Sequence, residues 1–231
     1  MKLVLREEKK YLITLEEYFR KSHFLSQLLM QDPNNGIHGY TVRSLYFDTI
    51  YDKDFFEKRA GIELRRKIRL RIYDPSSDHA NLEMKQKQGE YQLKRSMKLK
   101  RTDAERMIQG YYDVLLKYDE PFAAECYALM NKDCYLPKTV VEYNRKAFIA
   151  KENRIRVTFD SRIQSTESSF DLFSNTLNMN PILDPSGVVL EVKYNCFLLS
   201  YIKDMVTSVD SSKLSISKYS LARQQGYCTR L

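Results

Sequence analysis

The sequence predicts an α+β fold: about eight mostly antiparallel strands that form one curved sheet or a barrel, with several helices between them. About eight segments alternate in the manner of strands, and most neighbours are close enough in sequence for antiparallel pairing. Six or seven of them combine one apolar face with one densely charged face. The helices between them need the apolar face to pack on, so the charged face is predicted to line the inside.

Composition limits the class of protein. The chain has 231 residues, of which 43% are hydrophobic and 29% charged, as in a globular protein with a real core. We expect residues 1–231 to form a single domain. Lys and Arg number 38 against 30 Asp and Glu, and this basic surplus favours an anionic partner such as nucleic acid, a phosphate compound or an acidic membrane.

Cysteine spacing and hydropathy indicate the compartment. The four cysteines form no C-x-x-C pair, which predicts free thiols in a reducing environment. No apolar run is long enough for a signal peptide or for the ~20 residues of a membrane span. We therefore expect a soluble, cytoplasmic protein.

Five strands and two helices are predicted in the first hundred residues. The strands are Lys2–Ile13, Thr41–Phe47, Glu63–Tyr73, Ala80–Lys87 and Tyr91–Lys100, the last two forming a hairpin through Gln88-Gly89-Glu90. Thr14 and Glu17 fit a capping box, which predicts a helix from there to about Met30. A short helix over Asp52–Ala60 is predicted to end at Gly61.

The remainder is predicted to contain three more strands and four helices. Thr102 and Glu105 fit a second capping box, opening a helix to about Lys117. The polar segment Ser165–Asn180 is predicted to be a surface loop. The other predicted elements are helices over Pro121–Met130, Cys196–Ser208 and Lys218–Gln225, and strands over Lys138–Ile149, Arg154–Ile163 and Val188–Tyr194.

The stretch RRKIRLRIY, Arg65–Tyr73, shows the charged face most clearly, because five of its nine residues are cations. Alternation places Ile68, Leu70 and Ile72 on one face. Arg65, Lys67, Arg69 and Arg71 share the other. For a single strand a solvated outer face is the simpler interpretation. For the whole set of charged strand faces, a cationic lumen that binds a polyanion fits better, because the bound anion would relieve the repulsion among the cations.

Isolated glutamates among these cations narrow the class of anion. A duplex-binding surface gains nothing from Glu8, Glu83 or Glu191, and single-strand binders add stacking aromatics that these faces mostly lack. Carboxylates among cations suit a divalent metal held jointly with phosphate oxygens. The alternative for each glutamate is a salt bridge to the lysine two residues along the strand.

Eight short motifs follow one another along the chain: R-x-E-x-K-Y from Arg6, SLYFDT from Ser44, R-x-R-x-Y from Arg69, E-x-K from Glu83, Y-N-R from Tyr143, R-V-T-F-D from Arg156, L-E-V-K-Y from Leu190 and S-K-Y from Ser217. This series resembles the polyphosphate-polymerase domain of the vacuolar transporter chaperone (VTC) complex, a triphosphate tunnel metalloenzyme related to the CYTH-type phosphatases and cyclases. The resemblance implies an antiparallel eight-stranded tunnel-shaped β-barrel with a charged lumen and helices packed outside. It also implies the transfer of the ATP γ-phosphoryl group to inorganic polyphosphate with Mn²⁺ or Mg²⁺.

The resemblance also implies site residues. The candidate catalytic residues are Lys10, Arg69, Arg71, Lys85, Arg145, Arg156 and Lys218. Further candidate phosphate ligands, by motif or by position on the same charged faces, are Lys67, Lys87, Lys94, Tyr143, Lys193 and Ser217. The candidate metal ligands are Glu191, Glu8 and Glu83. Such a site aligns and neutralises phosphates and needs no His or Cys nucleophile.

Two departures from the family pattern bear on function. The CYTH-type hydrolases open with E-x-E-x-K, whereas Arg6 replaces the first acid here, which favours the polymerase branch. The SPX domain and membrane spans of eukaryotic VTC subunits are missing, so we expect a stand-alone prokaryotic type. Any export would need a separate membrane-protein partner. The expected ligands are ATP and polyphosphate, not nucleic acid. The alternatives are a non-catalytic polyphosphate- or triphosphate-binding module, a triphosphatase and a nucleic-acid-binding barrel.

Overall fold

The computed structural model describes residues 6–89, 91–207 and 217–228. The predicted strand residues Lys2–Leu5, the predicted turn residue Glu90 and the predicted helix end Ser208 lie outside them. The strands are β1 (Arg6–Thr14), β2 (Met30–Gln31), β3 (Tyr40–Thr49), β4 (Arg65–Ile72), β5 (His79–Gln88), β6 (Tyr91–Lys100), β7 (Tyr135–Ile149), β8 (Arg156–Thr166), β9 (Asn180–Pro181) and β10 (Gly187–Asn195). The helices are α1 (Leu15–Leu28), α2 (Lys53–Arg59), α3 (Arg101–Ile108), α4 (Pro121–Lys132), α5 (Ser200–Thr207) and α6 (Lys218–Cys228), with 3-10 turns over Tyr112–Lys117 and Glu152–Arg154.

The predicted antiparallel α+β class is confirmed, with eight strands of eight or more residues among those described. The described part of the chain divides into two compact units. The first contains residues 6–41, 143–163 and 183–207. The second contains residues 42–89, 91–142, 164–182 and 217–228. Strand β7 supplies residues to each.

The first unit has the strand order β1-β10-β8-β7. Its core consists of side chains from β1, β8, β10, α1 and α5, including Leu25, Val157, Leu190 and Ile202, all buried. Helix α1 begins at the predicted capping box. The Glu17 N–H donates to Thr14 Oγ1 at 3.2 Å, and the Thr14 N–H donates to the Glu17 carboxylate at 3.0 Å.

The second unit has the strand order β7-β3-β4-β5-β6. Its core includes Phe47, Ile68, Leu70, Leu82 and Met107, so helices and sheet share one apolar layer. The predicted alternation of β4 is confirmed for its apolar face. Among the described residues, the ladders pair β1 and β6 on one side only, so closure into a barrel stays an expectation from the family resemblance.

The second predicted capping box is wrong. Helix α3 starts at Arg101, directly after β6, so Thr102 lies inside the first turn and caps nothing. The helix then ends at Ile108 instead of near Lys117. Gly110 adopts a left-handed φ of 93°, which stops a helix, and a separate 3-10 turn follows.

The predicted surface loop Ser165–Asn180 is also less exposed than expected. Its first residues extend β8, and Leu172 and Phe173 are buried in the core of the second unit. Arg43 fixes this segment by donating to the carbonyl oxygens of Leu172 at 3.0 Å and Ser174 at 2.5 Å. Of the cysteines, Cys126, Cys134 and Cys196 are free thiols as predicted, and the Cys228 side chain lies outside the description.

The two S/T-x-x-E sequences give a matched pair of variants. Thr14→Ala removes a side-chain acceptor at a helix N-terminus, so we expect it to lower the free energy of unfolding by about 1 kcal/mol. Thr102→Ala replaces an exposed residue within a helix and should leave stability unchanged or slightly higher. Denaturant unfolding measures both, and equal losses would contradict the assigned start of α3.

Candidate functional site

Opposite charges face each other across the β1–β10 ladder of the first unit. The register sets Lys10 opposite Glu191 and Glu8 opposite Lys193. Lys10 Nζ lies 2.7 Å from Glu8 and 3.9 Å from Glu191. Lys193 Nζ lies 2.8 Å from Glu191 and 4.0 Å from Glu8. Each lysine therefore touches both carboxylates.

Arg145 of β7 extends this arrangement. Its guanidinium makes a bidentate contact with Asp160 at 2.7 and 2.8 Å, and lies 3.8 Å from Glu191. It also lies 5.2 Å from the ring centroid of the buried Tyr143. We call the group the carboxylate-rich cluster; it comprises Glu8, Lys10, Arg145, Asp160, Glu191 and Lys193.

A glycine holds the backbone beside Arg145. Gly39 has a φ of 93°, and a Cβ placed there would lie 2.2 Å from the Arg145 carbonyl oxygen. Both the left-handed conformation and the close approach require glycine. The loop before β3 is thereby packed directly onto β7 at the residue that carries the guanidinium.

Burial and charge act against each other in this cluster. Burial disfavours the charged form of Glu191, but Lys193, Lys10 and Arg145 outweigh it and hold the pKa of the carboxyl well below its usual range. Burial likewise opposes the charge on Lys10, yet Glu191 and Glu8 raise its pKa. The close opposite charges therefore stabilise the ionised forms of Glu191 and Lys10 against the cost of burial.

The carboxylate-rich cluster could supply some, but not all, of the ligands of a hard divalent cation. Among the described residues no group of three or more His, Cys, Asp or Glu is placed to hold a metal. Glu8 and Glu191 offer two carboxylates close to each other, both already held by the same lysines. Mg²⁺ in phosphate sites uses one or two carboxylates and takes its other ligands from phosphates and water, so this pair is sufficient.

Arg156 also lies in the first unit, with different partners. Its guanidinium lies 2.6 Å from the buried Asp32 and donates to the Tyr40 hydroxyl at 3.1 Å. About a third of the Arg156 side chain is exposed.

The second unit carries the larger group of cations. On one face of β4, β5 and β6, Lys67 pairs in register with Lys85, and Lys85 with Lys94. In the next row Tyr46, Arg69, Glu83 and Ser96 stand opposite one another. We call the group the cation-rich cluster; it comprises Lys67, Arg69, Arg71, Glu83, Lys85 and Lys94.

Glu83 is the centre of this cluster. Its carboxylate lies 2.6 Å from Arg69, 2.7 Å from Lys94 and 3.6 Å from Arg71. Burial alone would raise the pKa of Glu83, but Arg69 and Arg71, with Lys94, lower it to about 2. The metal-ligand assignment of Glu83 stays a prediction, while its contacts are those of an ion-pair partner.

Helix α6 brings the S-K-Y motif to the same face. Lys67 Nζ donates to Ser217 Oγ at 2.6 Å, and Ser217 Oγ also accepts the Ser220 N–H at 3.3 Å, as an N-cap does. Lys218 begins the helix and is half-buried, as are Lys85 and Lys87. Arg71 donates to Ser44 Oγ at 3.2 Å.

The two clusters differ in charge balance. The carboxylate-rich cluster holds three cations and three carboxylates. The cation-rich cluster, as defined, holds five cations and one carboxylate. Like charges directly opposite in adjacent strands are destabilising, so the row of three lysines is the strongest indication of an anionic ligand.

The sequence prediction assigned no role to several residues that the structure joins to these clusters. Asp160, Ser44 and Tyr46 contact predicted phosphate ligands, and Tyr219 stacks on Tyr46 with ring centroids 5.1 Å apart. All four stand inside the motifs that carry the family resemblance. Their contacts depend on strand register and on long-range packing, which those motifs do not specify. The side chain of Arg6 lies outside the description.

Comparison with known proteins identifies the family. The VTC domain model matches residues 5–227. No curated protein matches the sequence at a significant level. Among the described residues no helix combines the length and apolar character that a membrane crossing requires.

Two solved structures share the fold. One is HpAC1 from Hippeastrum, described as a candidate adenylyl cyclase with a dominant triphosphatase activity, at 11% identity and a TM-score of 0.58 over 96% of each chain. The other is a candidate adenylate cyclase from Bacillus halodurans, at 12% identity and a TM-score of 0.51 over 92% of this chain and 95% of that one. At these identities the likeness establishes the fold and not the reaction.

The lowered pKa of Glu83 predicts an acid-sensitive contribution to stability. A carboxyl whose pKa is lowered on folding stabilises the fold above its ordinary value of 4.5, and that stabilisation is lost as the pH falls towards about 2. We expect Glu83→Gln to lower the free energy of unfolding at pH 7 by roughly 3 kcal/mol, since each pKa unit corresponds to about 1.4 kcal/mol. The difference from wild type should shrink towards pH 2.

Denaturant unfolding between pH 7 and pH 2.5 measures this difference. Glu105→Gln is the control, because the Arg101–Glu105 pair at 2.8 Å is half-exposed and contributes about 0.5 kcal/mol or less. A gap between wild type and Glu83→Gln that is independent of pH would contradict the charged Glu83.

Proposed function

This chain belongs to the VTC domain family, and from that premise we propose that it is a metal-dependent polyphosphate polymerase. It transfers the γ-phosphoryl group of ATP to a growing inorganic polyphosphate chain and releases ADP. The proposal treats residues 1–231 as one domain acting in the cytoplasm. Phosphate contacts are assigned in each unit by itself: to Lys10, Arg145, Arg156 and Lys193 in the first, and to the cation-rich cluster in the second.

The observation that carries the proposal is the row Lys67, Lys85 and Lys94. Three neighbouring strands place these lysines directly opposite one another in register, on one face of the sheet. Repulsion among them costs free energy that a multivalent anion recovers on binding. A linear polyphosphate carries at least one negative charge on each phosphate, so a single chain can contact several of these cations at once.

The chemistry requires alignment more than covalent participation. An oxygen of the terminal phosphate attacks the γ-phosphorus, the bond from that phosphorus to the β-bridging oxygen breaks, and the electron pair leaves with ADP. The attacking oxygen is already ionised at neutral pH, so no strong base is needed. Fixed guanidinium and ammonium groups neutralise charge on the equatorial and leaving oxygens and hold the two phosphates in line.

A divalent cation completes the charge balance. Glu191 and Glu8 would hold Mn²⁺ or Mg²⁺, and the ion would neutralise part of the charge on the phosphates. The lysines that now neutralise these carboxylates, Lys10 and Lys193, would then be available to phosphate. Arg145, 3.8 Å from Glu191, also contacts the ring of Tyr143, which helps to hold its guanidinium.

A triphosphatase is the second candidate, and the structural likeness to HpAC1, which is described as having a dominant triphosphatase activity, favours it. The acceptor is then water instead of polyphosphate. Arg6, in place of the first acid of the hydrolase pattern, argues against this candidate.

Product analysis separates the two reactions. We expect purified protein with ATP and Mn²⁺ to give a polyphosphate ladder on a stained polyacrylamide gel, and no ladder without the metal. Glu191→Gln should still fold, with a lower free energy of unfolding because three cations lose a carboxylate, and should lose at least about 99% of the turnover because it removes the proposed metal ligand. Phosphate release without a ladder would assign a triphosphatase.

Charge reversal tests the cation-rich cluster by binding alone. Arg69→Glu puts a carboxylate beside Glu83 and the bound phosphates, so we expect affinity for inorganic tripolyphosphate to fall by at least about a hundredfold in calorimetric titration. Arg106→Glu on α3 is the control and should bind normally. Unchanged affinity in Arg69→Glu would exclude this face as the phosphate site.

A further inference from the structure

Two aspartates bind one face of α6: Asp48, near the end of β3, and Asp52, in the connection between β3 and α2. Tyr219, Arg223 and Tyr227 lie four residues apart and therefore share a helix face. The Tyr219 hydroxyl donates to Asp48 at 2.5 Å, Arg223 donates to Asp52 at 2.5 Å, and the Tyr227 hydroxyl also donates to Asp52. Successive turns of the helix are thus bound to fixed acids.

Asp48 is itself held rigidly. It is fully buried and accepts backbone N–H groups of Thr49 at 2.7 Å and of Asp54 and Phe55 at 2.9 Å each. These bonds join it to the end of β3 and the first turn of α2. The Tyr219 hydroxyl is therefore bound to an oxygen that has no freedom to move.

Tyr219 in turn contacts the cation-rich cluster. Its ring stacks on Tyr46 at an interplanar angle of 26°. Lys67 Nζ lies 5.6 Å from the centroid of the Tyr219 ring, and the Arg69 guanidinium lies 5.6 Å from that of Tyr46. Arg69 also donates to the Tyr46 hydroxyl at 2.9 Å. The two cations thus contact one stacked aromatic pair, and Asp48 holds that pair through its bond with the Tyr219 hydroxyl.

We propose that Asp48 and Tyr219 are positioning residues that fix Lys67, Arg69 and Ser217 for phosphate binding. This inference rests on the proposed function of the cation-rich cluster. A lysine side chain loses rotamer entropy when a ligand orders it. Here the Tyr219 ring and Ser217 Oγ hold Lys67 before any ligand arrives, so that entropy is already lost and affinity is higher.

Removing the Tyr219 hydroxyl alone tests the positioning role of this residue separately from its role in packing. Phenylalanine at this position fills the same volume and keeps the ring stack, but releases the ring from Asp48. The matched control is Tyr135, another buried tyrosine of the same unit whose hydroxyl donates to a carboxylate on α2, that of Asp54 at 3.0 Å. Tyr135 has no described contact with the cation-rich cluster.

Calorimetric titration with inorganic tripolyphosphate is the test. We expect Tyr219→Phe to bind roughly three- to tenfold more weakly than wild type, the range expected when the ligand must itself order one long side chain. Tyr135→Phe should bind as wild type does, although it also loses a buried side-chain hydrogen bond. If Tyr219→Phe does not fold, Tyr46→Phe examines the same link from the side of Arg69, and unchanged affinity there would overturn the inference.

A double-mutant cycle distinguishes positioning of Lys67 by Tyr219 from a general effect of Tyr219 on the stability of the fold. In a Lys67→Gln background, the effect of Tyr219→Phe should shrink, because the residue it positions is gone, whereas independent effects would add. Full additivity, or equal binding by wild type and Tyr219→Phe, would overturn the positioning inference alone. Absence of tripolyphosphate binding by wild type would overturn the proposed function as well.

Discussion

Compensation of charge on the strand faces is the constraint on which this structure depends. Each unit contains a buried glutamate that contacts three cations: Lys10, Arg145 and Lys193 around Glu191, and Arg69, Arg71 and Lys94 around Glu83. Removing either carboxylate would leave buried like charges facing one another, which is far more costly than losing an exposed pair. The glutamates therefore make these cationic faces compatible with folding, and the remaining positive charge is what a ligand can use.

Rigidity follows from the same arrangement. The cations stand on strands whose other faces are packed into apolar cores, so the backbone under each guanidinium and ammonium group is fixed. Glutamates, tyrosines and the α6 N-cap then fix the side chains themselves. A site that acts by alignment and charge neutralisation needs this precision more than it needs a reactive group. Neither cluster contains a histidine or a cysteine, which agrees with chemistry whose nucleophile is the substrate's own phosphate oxygen.

Sequence alternation was sufficient to predict the strands and which residues share their charged faces. It was also sufficient for the contacts of Glu191 with Lys193 and of Glu8 with Lys10, because residues two apart on a strand are neighbours. It was insufficient for Glu83, whose partners Arg69 and Lys94 stand on adjacent strands and depend on register. Asp48 and Tyr219 are 171 residues apart, and no local pattern could join them. The Thr102 error is similarly physical: the pattern of a capping box was present, but β6 leads into the helix without leaving room for one.

The glutamates would also set an upper limit on phosphate affinity at the proposed site. A phosphate bound there would compete with Glu83 for Arg69 and Lys94, so part of its attraction would be offset by the ion pairs it weakens. For a ligand that only has to be retained, this competition would be a disadvantage. In the proposed polymerase, a polymer extended one phosphate at a time would have to move relative to the cations in every cycle, and each cation would exchange one partner for another. An internal carboxylate would give each released cation an immediate partner and so lower the cost of breaking each phosphate contact, which is what a chain that must advance requires.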